Sequence, residues 1–262
     1  MSTSILEYTT PKLFSSFPVS DAFFLIDNRL LAVFLFLIGW MIYCYISSAN
    51  KLLFFPVLSE KKFFFKEESL SWLGSIFLAL GVFSYSYGLT DEMFVNLVHP
   101  LNLIQHGIFS FDPSVKIDGT VEPLFYILHA LGGSYRGIII FNFLFSFLLF
   151  ISTAYLIDRY FIDSPYRILI RNFYLLFPPI VFAVSTGFGA VLLNYLFVQG
   201  LLGIKLKNKK LLYSALILIA LCRPEALAYD FVLVVLSAIY MRKAFLPLLF
   251  SIMSIAAFYL FY

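Results

Sequence analysis

From Gly137 to Ile157 the chain runs 21 residues without one charged side chain. A helix of about 20 apolar residues crosses the roughly 30 Å hydrocarbon core of a bilayer. Seven further apolar runs follow the same pattern: Leu30–Ser48, Leu70–Leu89, Ile168–Val184, Ala190–Ile204, Leu211–Cys222, Ala226–Met241 and Phe245–Tyr262. Most are too long for barrel strands, and lipid-exposed backbone must satisfy its own hydrogen bonds, so they are read as helices. The expected fold is therefore an all-α integral membrane protein of about eight transmembrane helices. Composition agrees, with 61% hydrophobic and 13% charged residues. A soluble domain carries about 25% charged residues, enough to cover a water-facing surface.

Thirteen of the 18 basic residues fall in alternate connections: Lys51, Lys61, Lys62, Lys66, Arg159, Arg167, Arg171, Lys205, Lys207, Lys209, Lys210, Arg242 and Lys243. The positive-inside rule puts these on the cytoplasmic face and both termini outside. Residues 1–29 then form an outer N-terminal segment without a cleavable signal pattern, and 30–262 the transmembrane domain. The basic residues sit in short loops between apolar runs, which argues for topology and against a nucleic-acid partner. Cys44 and Cys222 lie in apolar runs as small fillers, with no disulfide or metal spacing.

The connection 90–136 is the first large outer loop, and it is acidic: Asp91, Glu92, Asp112, Asp118 and Glu122 against Lys116 and Arg136. Thr90 can cap a helix that runs to Gly107, with Glu92, Asn96, His99, Asn102 and His106 as one polar stripe. A second, shorter helix within Val121–Gly133 places Glu122, Tyr126 and His129 on one face. Its roughly 13 residues are too few to cross, and counting it as a span would reverse every later loop. Both are read as juxtamembrane helices. Asp91 and Glu92 can also simply complement a helix dipole, and the histidines can be interfacial polar groups.

In the second half, Ser185-Thr186-Gly187-Phe188-Gly189 interrupts two runs on the outer side. Arg223-Pro224-Glu225 marks another outer turn, where Pro224 and Glu225 suit the start of a helix. Asp230 lies inside a span, where an ionisable group is costly and is functional or paired. It falls seven residues after Arg223, on about the same face, so an Arg223–Asp230 ion pair is one reading. A cation facing a lipid phosphate is the other.

Several stretches taken together resemble the GT-C superfamily of polytopic glycosyltransferases, in particular its arabinofuranosyltransferase- and mannosyltransferase-like members. They are Thr90-Asp91-Glu92-Met93-Phe94, the segment Asn102 to Pro113, Asp118-Gly119-Thr120-Val121-Glu122-Pro123-Leu124-Phe125, Ser185-Thr186-Gly187 and Leu221-Cys222-Arg223-Pro224-Glu225. The resemblance implies transfer of a sugar from a polyprenyl-phosphate donor to a glycan, lipid or protein acceptor on the outer face, with inversion. It implies Asp91 as general base and Glu92 as its orienting group, the two holding a divalent metal (Mg or Mn) if one is used. His106, Asp118, Glu122, His129, Arg223, Glu225 and Asp230 would line the substrate site. A non-catalytic membrane protein, either a truncated relative or a subunit of a cell-envelope assembly, is the competing class. A transporter fits less well, because broken helices in matching halves are missing from the pattern.

Overall fold

The computed structural model describes residues 33–42, 65–86, 91–108, 122–185, 189–223, 226–242 and 245–261. Among these residues the chain is all-helical. In order, the helices are α1 Val33–Ile42, α2 Phe65–Ser86, α3 Asp91–His106, α4 Pro123–Ala130, α5 Tyr135–Tyr160, α6 Arg167–Leu176, α7 Pro178–Ser185, α8 Ala190–Lys205, α9 Lys209–Ala220, α10 Leu227–Met241 and α11 Phe245–Phe261.

Local chemistry accounts for the boundaries. Ser134 caps α5, its Oγ accepting from the Gly137 amide at 3.1 Å. Asn208 caps α9 by accepting from the Lys210 and Leu211 amides at 3.0 and 3.4 Å, which satisfies donors the helix itself cannot. Gly107 ends α3 in the left-handed region, φ +65°, where glycine has no Cβ penalty.

The run Ile168–Val184, expected as one span, is two helices bent by 53°. Pro178 lacks an N–H and excludes the helical conformation from the residue before it, so Phe177 turns out at φ −70°, ψ 114°. Of the described helices, only α5 (26 residues) is by itself long and apolar enough to cross a bilayer, and the bent α6–α7 pair passes the same criterion jointly. The helices α8 (16 residues), α9 (12), α10 (15) and α11 (17) coincide with the last four runs and are shorter than α5. At 1.5 Å per residue, α9 spans roughly 18 Å. The all-helical expectation is thus met, while among the described residues one helix, or two counting the bent pair, has the length and apolarity to cross a bilayer.

Helix α8 is the hub. It packs on α5, α9 and α10, while α11 covers α9 and α6–α7 packs on α2 and α5. At Gly203 an added Cβ would meet the Leu212 amide nitrogen at 2.7 Å, so glycine lets α8 and α9 approach at their shared turn. The core is Phe83, Phe125, Ile138, Phe150, Leu175, Leu196, Leu212, Leu216, Ile219 and Leu233 with their neighbours.

Helix α6 turns a charged residue inward and apolar residues outward. On α6 the Arg171 side chain is fully buried, while Phe173 is 65% and Leu169 46% exposed. Arg171 Nη1 reaches Asp158 Oδ1 at 3.3 Å, Nη2 donates to Ser71 Oγ at 2.6 Å, and the guanidinium lies 4.2 Å from the Trp72 ring centre. Arg167 extends the network to Asp158 at 3.5 Å and Glu68 at 3.3 Å. Asn172 accepts from Ser75 at 2.8 Å. Arg171 had been read only as a marker of sidedness. Asp158, Arg167 and Glu68 sit at the end of the bundle that also carries Lys205, 3.1 Å from Asp163.

Candidate functional site

The opposite end of the bundle collects segments far apart in sequence. Glu122 stands just before α4, where Pro123 supplies the preset φ of a first helical residue. The Leu124 amide donates to the Leu221 carbonyl at 3.2 Å, tying α4 to the turn after α9. That turn holds Arg223, whose Nε lies 3.3 Å from Glu122 Oε1. The other carboxylate oxygen, Oε2, accepts from the Gly189 amide at 3.1 Å. Glu122 is buried, whereas the Arg223 side chain is 30% exposed. One carboxylate therefore bridges three segments and aims a partly exposed guanidinium at the end of the bundle. An ion pair between a guanidinium and a carboxylate is stronger than a neutral hydrogen bond, because both partners are charged.

Gly189 is the residue the spacing did not reveal as part of the site. A Cβ there would lie 2.3 Å from Glu122 Oε2 and 2.5 Å from its carboxyl carbon. Its backbone is helical, φ −58° and ψ −16°, so glycine is required by room and not by conformation. The only sequence signal was the density of small residues from Ser185 to Gly189.

Other expected site residues are placed differently. His129 is fully buried, its Nδ1–H donating to the Phe125 carbonyl at 2.8 Å and its Nε2 lying 2.8 Å from the Asn142 side-chain amide. It pins α4 to α5 and does not face the Arg223 end with Glu122. Tyr126 is buried too and stacks on His99, ring centres 4.6 Å apart. The α3 stripe does not form a solvated face: His99 and Asn102 are buried, and His106 is exposed at the last turn. The reason is that α3 packs on both α4 and α5, so half its stripe turns into the interface. His106 has no hydrogen-bond or ion-pair partner among the described residues.

Asp230 is 1% exposed, and its Oδ2 accepts from Ser251 Oγ at 3.3 Å. Arg223 thus has Glu122 as its ion-pair partner, in place of the Arg223–Asp230 pair that the spacing suggested. Asp91 and Glu92 open α3, and their side chains lie outside the described residues, as do Asp118, Glu225 and Cys44. Cys222 is a free, buried thiol. Among the described residues no three His, Cys, Asp or Glu side chains group to hold a metal. Asp91 and Glu92, the two carboxylates expected to hold Mg or Mn, have side chains outside the described residues.

Burial holds the His129 ring below the usual imidazole value near 6.5, more strongly than its two hydrogen bonds raise it. The folded protein keeps the ring neutral, while the unfolded chain takes up a proton below about 6.5. Stability from this group is complete above that value and is lost as pH falls through it, by up to about 1.4 kcal/mol for each unit between the two pKa values. Thermal unfolding of wild type and His129→Gln at pH 7.5 and 5.0 checks this. Wild type is expected to lose more on acidification than the variant, and equal losses would clear His129 of the effect.

Comparison of the chain with known protein families, curated proteins and solved structures finds no match in any of the three.

Proposed function

We propose that the chain is a multi-pass protein of the cytoplasmic membrane that transfers a sugar from a polyprenyl-phosphate donor to a glycan, lipid or protein acceptor. The membrane half of this reading draws support from α6. A helix that buries an arginine and exposes Phe173 and Leu169 suits surroundings less polar than the bundle interior, the reverse of a water-facing helix. Exposed apolar side chains continue on α5 (Ile140, Leu144, Leu148) and α10 (Phe231, Ile239, Tyr240). Eight spans, some short and met by local thinning of the bilayer or snorkelling side chains, belong to the same proposal.

The transfer half draws support from one observation: two of the stretches that resemble the GT-C superfamily, Asp118–Phe125 and Leu221–Glu225, meet through the Glu122 carboxylate, which pairs with Arg223 and also accepts from the amide of Gly189, two residues past a third such stretch. In this reading Asp91, at the start of α3, takes the proton from the acceptor hydroxyl, with Glu92 orienting it. The hydroxyl oxygen attacks the anomeric carbon on the face opposite the phosphate, so the product is inverted. The leaving phosphate, with its lipid, gains negative charge and is met by Arg223. Glu122 acts through Arg223 as a positioning residue and does not touch substrate. His106, Asp118 and Glu225 keep their proposed place in the substrate site, while Asp230, buried against Ser251, and His129, buried between α4 and α5, take packing roles in this reading.

The test is an assay of membranes with a panel of lipid-phosphate sugars. Asp91→Asn is expected to lower transfer roughly 10²–10⁴-fold while insertion and yield match wild type. Transfer at the wild-type rate in that variant would remove Asp91 as the base. Absence of transfer by wild type with every donor and acceptor of this class would leave a non-catalytic membrane protein.

A further inference from the structure

The turn between α8 and α9 concentrates Lys205, Lys207, Lys209 and Lys210, and every residue from 205 to 210 is exposed. Lys205 is accounted for locally: Nζ donates to the Tyr160 carbonyl, pairs with Asp163 at 3.1 Å and lies over the Tyr160 ring. The side chains of Lys207, Lys209 and Lys210 have no ion-pair partner among the described residues.

Local physics works against this arrangement. Lys207 sits at φ +52°, a left-handed conformation in which glycine or asparagine is the usual choice. Lys209 and Lys210 open α9, where the positive end of the helix dipole disfavours cations. Leu206, between Lys205 and Lys207, is 57% exposed. Arg242, the other non-glycine residue of positive φ among those described, caps α10 at the same end and is also exposed. Helix dipoles account for Lys207 and Arg242, which follow helix C-termini. They do not account for Lys209 and Lys210.

We propose that this turn, together with Arg242, is a docking surface for the headgroups of anionic phospholipids. The inference rests on the membrane reading above. Phosphodiester groups supply the charge that the three lysines lack, and an apolar side chain between cations suits the boundary between headgroup and acyl chain. Each lysine near such a surface contributes roughly fivefold in affinity.

The experiment uses the intact chain in bilayers of phosphatidylcholine, alone or mixed with phosphatidylglycerol, with thermal unfolding and retained lipid as readouts. Wild type is expected to unfold at a higher temperature when phosphatidylglycerol is present and to retain it preferentially, with both effects weakened by salt. The triple variant K207Q/K209Q/K210Q should lose most of that increment. Lys207→Gly tests the same point with the turn relaxed: it should unfold later than wild type in phosphatidylcholine and gain less from phosphatidylglycerol. An equal gain in wild type and both variants overturns the proposal. So does a shift reproduced by inorganic phosphate, which would mean a site for soluble anions. Insertion into phosphatidylcholine with indifference to headgroup charge defeats this inference alone, whereas failure to enter either bilayer defeats the membrane reading with it.

Discussion

Arg171→Ala is expected to destabilise the chain by about 3–5 kcal/mol, the cost of leaving one member of a buried ion pair without its partner. The side chain is fully buried, held by Asp158, Ser71 and the face of Trp72. Removing it leaves Asp158, itself 1% exposed, with Arg167 at 3.5 Å as its remaining ion-pair partner among the described residues. It also empties the space between α2, α5 and α6. Lysine is not an adequate replacement, because its single ammonium cannot reach a carboxylate and a hydroxyl at once while lying flat on an indole. Detergent-solubilised yield and unfolding temperature measure the effect. The double variant R171M/D158L is expected to recover most of the loss, since an apolar pair of similar volume carries no desolvation penalty. A stable, monodisperse Arg171→Ala protein would mean that the network contributes little.

Gly189→Ala should cost little in the backbone and a great deal at Glu122. Its φ and ψ already suit alanine, yet the new methyl would stand 2.3 Å from Oε2 and 2.9 Å from Oε1. The carboxylate must move, giving up both the amide and Arg223. Loss of a buried, charge-assisted contact predicts about 1–3 kcal/mol of destabilisation. Where Arg223 meets the leaving phosphate, transfer should fall by roughly 10²-fold, the scale for removing one group that stabilises developing charge. Glu122→Asp, one methylene shorter, should restore part of both in the Gly189→Ala background. A double-mutant cycle with Glu122→Ala gives a readout independent of activity: Gly189→Ala should be close to neutral once the carboxylate is gone. Additive losses would show that the methyl acts through something other than Glu122.

The helix positions were legible because their signals are local. Apolar runs and Gly107 at a helix end act within one turn of themselves. The break at Phe177 is equally local, since Pro178 forces it, but the apolar residues on both sides of it, Phe173–Phe177 and Ile180–Val184, read as one run. Helix ends were legible only to within a turn: the run Leu211–Cys222 is carried by a helix of the same length that starts at Lys209 and stops at Ala220.

At the candidate site the sequence by itself determined which segments carry chemistry. Acidic and basic side chains are so few that Glu122, Arg223 and Asp230 stand out against apolar neighbours. Only the tertiary structure decided who meets whom. The spacing of seven favoured Arg223 with Asp230, because a helix repeats its face at that interval. The chain instead turns at Arg223, and α4, held by the hydrogen bond from Leu124 to Leu221, delivers Glu122 from 101 positions away in sequence. Glycine leaves no trace of its role in a pattern of side chains, so the room that Gly189 makes for a carboxylate becomes visible only when two distant backbones are brought together. The same holds for Arg171: its charge signals sidedness along the chain, and its partners on α2 and α5 turn it into a buried anchor.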